Sequence, residues 1–130
     1  VATLYSSEMS AKTFARMAEL AELAINAGFP VIADGTFLRR QVRDDFRQLA
    51  QRLDVPFAIL NCSASQDVMR ERLRAREARG RDASEAGVSV MENQAKQLQP
   101  LADIELDQTV DVKPGWGAAR LWEAVQALSQ

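Results

Sequence analysis

The sequence contains no histidine, a single cysteine and only three lysines. Without an imidazole there is no Ser-His-Asp triad, no Cys-His dyad and no histidine ligand for a metal. The lone thiol, Cys62, can form neither an internal disulfide nor a thiolate zinc site, which suits a reducing, cytoplasmic setting. No apolar run reaches the ~18 residues that a membrane helix needs, and the first residues lack a signal-peptide pattern. Internal repeats, low-complexity tracts and long linkers are missing too. What is present is ordinary: 47% apolar and 26% charged residues in a chain of 130, enough to bury the core of one domain spanning 1–130. The chain opens on Val1 rather than Met, so the expectation is that it does not start where its gene starts.

The net charge of −2 argues against bulk nucleic-acid binding, but the charge is unevenly spread. Residues 70–81 carry Arg70, Arg72, Arg74, Arg76, Arg79 and Arg81 against Glu71 and Glu77, a net +4 inside an acidic chain. Such a segment is a candidate anion site, and equally a solvated, salt-bridged helix.

Periodicity organises the rest. Phe14, Met17, Ala18, Ala21, Ala24 and Ile25 recur at three- and four-residue spacing, which predicts a helix from about Ser7 to Ala27. Ser6 or Ser7 can cap its start, and Gly28 suits the left-handed residue that closes it. Val31-Ile32-Ala33 then reads as a strand buried on both faces. The pattern repeats: a helix from Arg39 to Leu53 with Val42, Phe46, Leu49, Ala50 and Leu53 inward, then the buried strand Phe57-Ala58-Ile59-Leu60. A third helix runs from Ser65 to about Arg79, and a fourth starts at Asp82 or Ser84 and is bounded by Pro100. Leu106 to Val112 is a last strand, and Pro114-Gly115 turns into a helix carrying Leu121, Trp122, Val125 and Leu128. Alternating helices and strands predict the α/β class, a parallel sheet with flanking helices and right-handed crossovers.

In open α/β sheets ligands gather outside the carboxyl ends of strands, and Asp34 stands at such an end. A carboxylate there can hold Mg²⁺ through water or accept a proton from a hydroxyl; it can also simply cap the turn with Gly35 and Thr36. Arg72 and Arg76, four apart, share a helix face, and their forked guanidinium groups beside the Gly80 break suit a lid that closes on phosphates. Arg70, Arg74 and Arg81 are expected in solvent. Arg39, Arg40 and Arg43 open the second helix, where cations sit poorly, so a bound anion or a neighbouring carboxylate is expected beside them. Cys62 and the two tryptophans read as packing residues.

Four stretches in order carry a resemblance: Val31-Ile32-Ala33-Asp34-Gly35-Thr36-Phe37-Leu38-Arg39-Arg40, Phe57 to Cys62, Arg72-Leu73-x-x-Arg76, and Gly80 to Ala86, with Gln94 beyond. Together they resemble the P-loop kinase-like ATP-binding domain, in the version fused behind an aminoglycoside-phosphotransferase-like domain in bacterial bifunctional proteins. Gluconate kinases, zeta toxins and polynucleotide 5′-kinases are more distant kin, and the likeness covers residues 5–112. It implies an ATP-binding, Mg²⁺-dependent phosphotransferase acting on a small hydroxyl-bearing substrate. Asp34 would be the Walker-B-like acid near the metal or substrate, with Thr36 beside it. Arg72 and Arg76 would belong to a lid over residues 70–85 that closes on the nucleotide phosphates, Arg76 making the direct contact. Asp82 and Ser84 would shape that lid.

The departure from the pattern lies in the phosphate loop. These kinases begin with a strand and a Gly-rich turn ending Gly-Lys-Ser/Thr, and Lys12, Lys96 and Lys113 follow no such turn. In that fold the phosphate-loop strand sits between the two strands at 31–33 and 57–60. The expectation is therefore a partial fold, the C-terminal portion of a kinase domain without its first strands, inactive by itself. The alternative is a degenerate, non-catalytic module used for interaction or oligomerisation. Exposed strand edges would also invite a strand-exchanged homodimer.

Overall fold

A computed structural model describes residues 7–62, 66–78 and 92–128. The chain divides into two compact units, Val1–Phe57 and Ala58–Gln130.

The first unit is a helical pair, α1 (Ser7–Asn26) and α2 (Arg40–Arg52). The stripe foreseen on α1 is its inner face: Ala21 is buried, and Phe14, Met17, Ala18, Ala24 and Ile25 are half-buried. Gly28 closes the helix at φ +93°. The amide of Gly28 donates to the carbonyl of Ile25 at 2.9 Å and that of Phe29 to Ala24 at 3.0 Å. These are the two bonds of a Schellman cap, which satisfies carbonyls the helix end would leave open. On α2, Leu49 and Ala50 are buried while Val42, Phe46 and Leu53 are half-buried, as the spacing predicts. The same cap recurs there with Asp54 in the glycine position, at φ +56°. Its amide reaches Gln51, and Val55 reaches Ala50.

The strand expected at 31–33 does not form. Among the described residues no strand pairs with it, and Val31 and Ile32 are 38% and 83% exposed. β-branched residues favour an extended chain, but a strand is completed by hydrogen bonds to a neighbour and by packing on its face. Among the described residues no strand supplies those bonds, and of the three only Ala33 is half-buried.

The second unit holds β1 (Ile59–Asn61), α3 (Gln66–Ala78), a helical stretch at 92–97, the one-turn α4 (Asp103–Leu106), β2 (Thr109–Asp111) and α5 (Ala118–Leu128). The strands pair in parallel, Ile59 with Thr109, Leu60 with Val110 and Asn61 with Asp111. Beyond the register, Ile59 donates to Gln108 at 2.8 Å and Val112 to Asn61 at 3.0 Å. Parallel strands need a long connection, and the helical segments between β1 and β2 provide it. So the α/β class and the parallel pairing hold, on two short strands; β1 is half-buried rather than buried.

Two details differ from the sequence reading. Leu106 belongs to α4 and not to the last strand. Glu105 on α4 is fully buried and accepts a hydrogen bond from the Ala102 amide at 3.1 Å, while Thr109 Oγ1 donates to its carbonyl at 2.6 Å. Trp116 does pack, with the Arg120 guanidinium 4.4 Å above its ring, but Trp122 is 59% exposed and α5 buries none of its residues. Ser6, Ser65, Arg79, Gly80, Arg81, Asp82 and Ser84, to which caps, the helix break and the lid return were assigned, lie outside the described residues. No helix among the described residues is long and apolar enough to cross a membrane.

Candidate functional site

In the first unit, the loop between α1 and α2 carries Asp34 and Thr36, both exposed. Phe37 sits at φ +44°, a conformation that β-carbon crowding makes costly for a bulky residue. Its ring lies between Phe14, at 4.9 Å between centroids, and Phe46, at 5.2 Å and edge-on. A β-carbon on Gly35 would stand 3.2 Å from the Phe14 ring, closer than comfortable contact, so the backbone passes tightly over this cluster. The arginines at the start of α2 are engaged by protein groups. Arg43, 4% exposed, donates from Nη1 to the carbonyls of Phe37 at 2.8 Å and Leu38 at 3.2 Å. Asp44 takes Arg47 at 2.7 Å and Arg40 at 3.6 Å, which supplies the carboxylate expected beside these cations.

In the second unit, parallel pairing brings the carboxyl ends of β1 and β2 side by side. A small cleft of about 130 Å³ opens there, lined by Cys62 after β1, by Val112, Lys113 and Pro114 after β2, and by Arg72 of α3. Asn61 and Asp111, the last register pair, are joined by a 3.1 Å hydrogen bond from Nδ2 to Oδ1. Two cations thus face one concavity at a strand terminus, where anionic ligands bind in sheets of this kind.

The structure brings Arg72 to this cleft. Arg76, one turn further along α3, is exposed and is not among the lining residues. Arg70, expected in solvent, is half-buried and bound to Glu92 at 2.6 Å. Cys62 is no core filler: it is an exposed free thiol at the cleft. Lys113 escaped the sequence reading. The signal was available, since Lys113-Pro114 directly follows the last strand, at the same end that singles out Asp34 after 31–33.

The donors present fit some of the expected ligands' chemistry. Among the described residues no group of three or more acidic or cysteine side chains could cage a metal. Asp34 and Thr36, both exposed, each carry a hard oxygen of the type Mg²⁺ takes, an ion that keeps most of its waters and phosphate ligands. Arg72 and Lys113 fit phosphate oxygens, although the cleft is too small to enclose a nucleotide.

No curated protein and no solved structure gives a significant match to the chain. A family model described as an AAA domain matches residues 2–101, well over half of the sequence. The match runs through the Asp34 loop, β1 and the arginine-bearing α3 alike. The chain therefore belongs to this AAA domain family, a P-loop NTPase-like family of nucleotide-binding domains that includes kinase-like members.

Proposed function

We propose that this chain is the nucleotide-binding portion of an ATP- and Mg²⁺-dependent phosphotransferase whose acceptor is a small hydroxyl-bearing molecule. The observation that carries the reading is the cleft at the carboxyl ends of β1 and β2, with Arg72 and Lys113 on its wall, in a chain of this family. Arg72 and Lys113 would bind phosphate oxygens, and Arg76 would extend the cationic face along α3. Asp34 and Thr36 would hold Mg²⁺ through water, or Asp34 would accept the acceptor's proton. Mg²⁺ supplies charge neutralisation on the phosphates when bound. In the reaction the acceptor oxygen attacks the γ-phosphorus in line and the bond to the β-γ bridging oxygen breaks, giving a phosphate ester and ADP. The sequence has no Gly-rich turn ending in Gly-Lys-Ser/Thr, so by itself it should bind ATP weakly and turn none over.

The test is a titration of the isotope-labelled chain with Mg-ATP, followed by amide shifts. Weak, millimolar binding with shifts at Cys62, Arg72, Val112 and Lys113, abolished by the double substitution of Arg72 and Lys113 to Ala, is the expected result. Absence of shifts at these residues at 10-fold excess over a millimolar ligand would overturn the assignment of the cleft. Micromolar affinity would overturn the view that the chain lacks its main phosphate-binding element.

A second reading, a non-catalytic module that self-associates, is favoured by one observation: Val31 and Ile32 are exposed and paired with no strand among the described residues. In a strand-exchanged homodimer these residues would add to a partner's sheet edge. Light scattering over micromolar concentrations separates the two. A dimer that Ile32→Lys converts to monomer supports this reading, and a monomer throughout removes it.

A further inference from the structure

Beyond these ligand contacts, the geometry points to Arg43 as a positioning residue: its buried guanidinium sets the conformation of the 34–38 loop and thereby the placement of Asp34 and Thr36. A phenylalanine at φ +44°, as Phe37 is, is unfavourable, and such a backbone persists only where its surroundings over-determine it. Two independent restraints are present. From one side the Phe37 ring is held between Phe14 and Phe46. From the other, one nitrogen of Arg43 donates to two successive carbonyls, those of Phe37 and Leu38, at 2.8 and 3.2 Å. Two consecutive carbonyls converging on one donor fix the peptide planes on both sides of the Leu38 α-carbon.

The choice of arginine is informative. An arginine that is 4% exposed is costly to bury, and apolar residues are the usual occupants of the inner face of an amphipathic helix. Its burial makes sense where its donors hold a backbone that no strand among the described residues holds. Residues 31–36 have no regular secondary structure and no ladder with any described strand, and Arg43 provides an anchor there. Gly35 completes the arrangement, because the backbone between Asp34 and Thr36 passes too close to Phe14 for a β-carbon to be accommodated without a shift. The functional meaning of this anchor rests on the assignment of Asp34 and Thr36 above; the anchoring itself does not.

The experiment uses the full chain and nuclear magnetic resonance. In the unsubstituted protein the Arg43 Nη protons should exchange at least 10-fold more slowly than those of exposed Arg74, and exchange at the same rate would overturn the inference without any variant. Arg43→Met, which keeps the aliphatic stem and removes the donors, should move the Phe37 ring resonances and the amides of residues 34–38 while the amides of 15–25 stay put. Arg43→Lys, which retains a donor, should restore part of that pattern. Unchanged loop amides in Arg43→Met would overturn the inference. Mn²⁺, added alone as a Mg²⁺ surrogate, distinguishes the two assignments: broadening of the Asp34 and Thr36 amides in the unsubstituted chain tests the metal reading. A broadening that weakens severalfold in Arg43→Met and recovers in Arg43→Lys tests positioning, since loss of stability alone would not be confined to the loop.

Discussion

Arg70 and Arg72, two residues apart on α3, act in different directions. Arg70 donates from Nη2 to Oε1 of Glu92 at 2.6 Å, while Arg72 lines the cleft at the strand ends. Residues at i and i+2 of a helix do not share a face, so one turn of α3 supplies both a structural tie and part of the cleft wall. The tie joins residues 22 apart in sequence and fastens α3 to the helical stretch at 92–97.

A double-mutant cycle measures that tie. Both side chains are more than a third exposed, so the coupling between Arg70→Ala and Glu92→Ala should be about 0.5–1 kcal/mol at low salt. It should shrink markedly at molar ionic strength, where the screening length falls to ~3 Å. Denaturant midpoints of the four proteins at two salt concentrations give the number. A coupling indistinguishable from zero at low salt would mean that the contact adds nothing to stability.

The two helix caps allow a paired test with opposite signs. Gly28 is at φ +93° with nothing within 4 Å of a β-carbon, so Gly28→Ala meets no clash and its cost is backbone strain alone, about 1 kcal/mol. Asp54 already bears that strain at φ +56°, so Asp54→Gly should be neutral to stabilising by a few tenths of a kcal/mol, because relief of strain is partly offset by the freer unfolded chain. Thermal unfolding of both variants reads the difference. Equal shifts in the same direction would argue that the caps are not the determinant.

These caps also show which features are local and which are not. Gly28, and Asp54-Val55-Pro56, stop their helices through backbone geometry and a missing amide, so both ends could be read from residues in sequence. The parallel sense of the sheet followed from alternation of elements, whereas the pairing of 59–61 with 109–111 is a long-range contact that alternation does not specify. Val31-Ile32-Ala33 misled because its composition favours a strand, whereas the hydrogen bonds that make one come from elsewhere. The burial of Glu105 is likewise non-local: nothing within Asp-Ile-Glu-Leu sets this acid apart, and the packing of α4 buries it. At the cleft, helical spacing singled out Arg72, while Lys113 required the strand-end rule to be applied to β2. Asp34 was chosen by a strand at 31–33 that does not form, so that ground for it falls away. The different tasks of Arg70 and Arg72 depend on where residues 92–97 lie, which spacing within α3 does not encode.

Glu105 makes a demanding stability test. Its carboxylate is fully buried and accepts the Ala102 amide at 3.1 Å, and its carbonyl takes the Thr109 hydroxyl at 2.6 Å beside β2. Glu105→Ala removes a buried acceptor and leaves the Ala102 amide without it, while the Thr109 bond to the main-chain carbonyl is kept; the loss should cost ~2–3 kcal/mol. Glu105→Gln retains an acceptor oxygen and should cost less. The comparison is made by urea unfolding, with the amide protection of Leu60 and Val110 reporting the sheet. If the alanine variant is no less stable than the glutamine variant, the hydrogen bonds do not account for the burial.

Cys62 offers a probe of the cleft that requires no knowledge of the acceptor. It is the only thiol of the chain, exposed, and shares its wall with Arg72 and Lys113. An anionic aromatic disulfide such as dithiobis-nitrobenzoate should therefore react faster than a neutral disulfide of similar reactivity. That advantage should fall severalfold between 20 mM and 500 mM salt, because exposed cations act through screened fields. Lys113→Ala and Arg72→Ala should each remove part of the advantage, and Mg-ATP or inorganic phosphate should slow the reaction by occupying the cations. The thiol reports on its neighbours here, so the neutral reagent serves as the internal control. Equal salt dependence for both reagents, or no protection by either phosphate ligand at tens of millimolar, would show that the strand-end cleft is not an anion site.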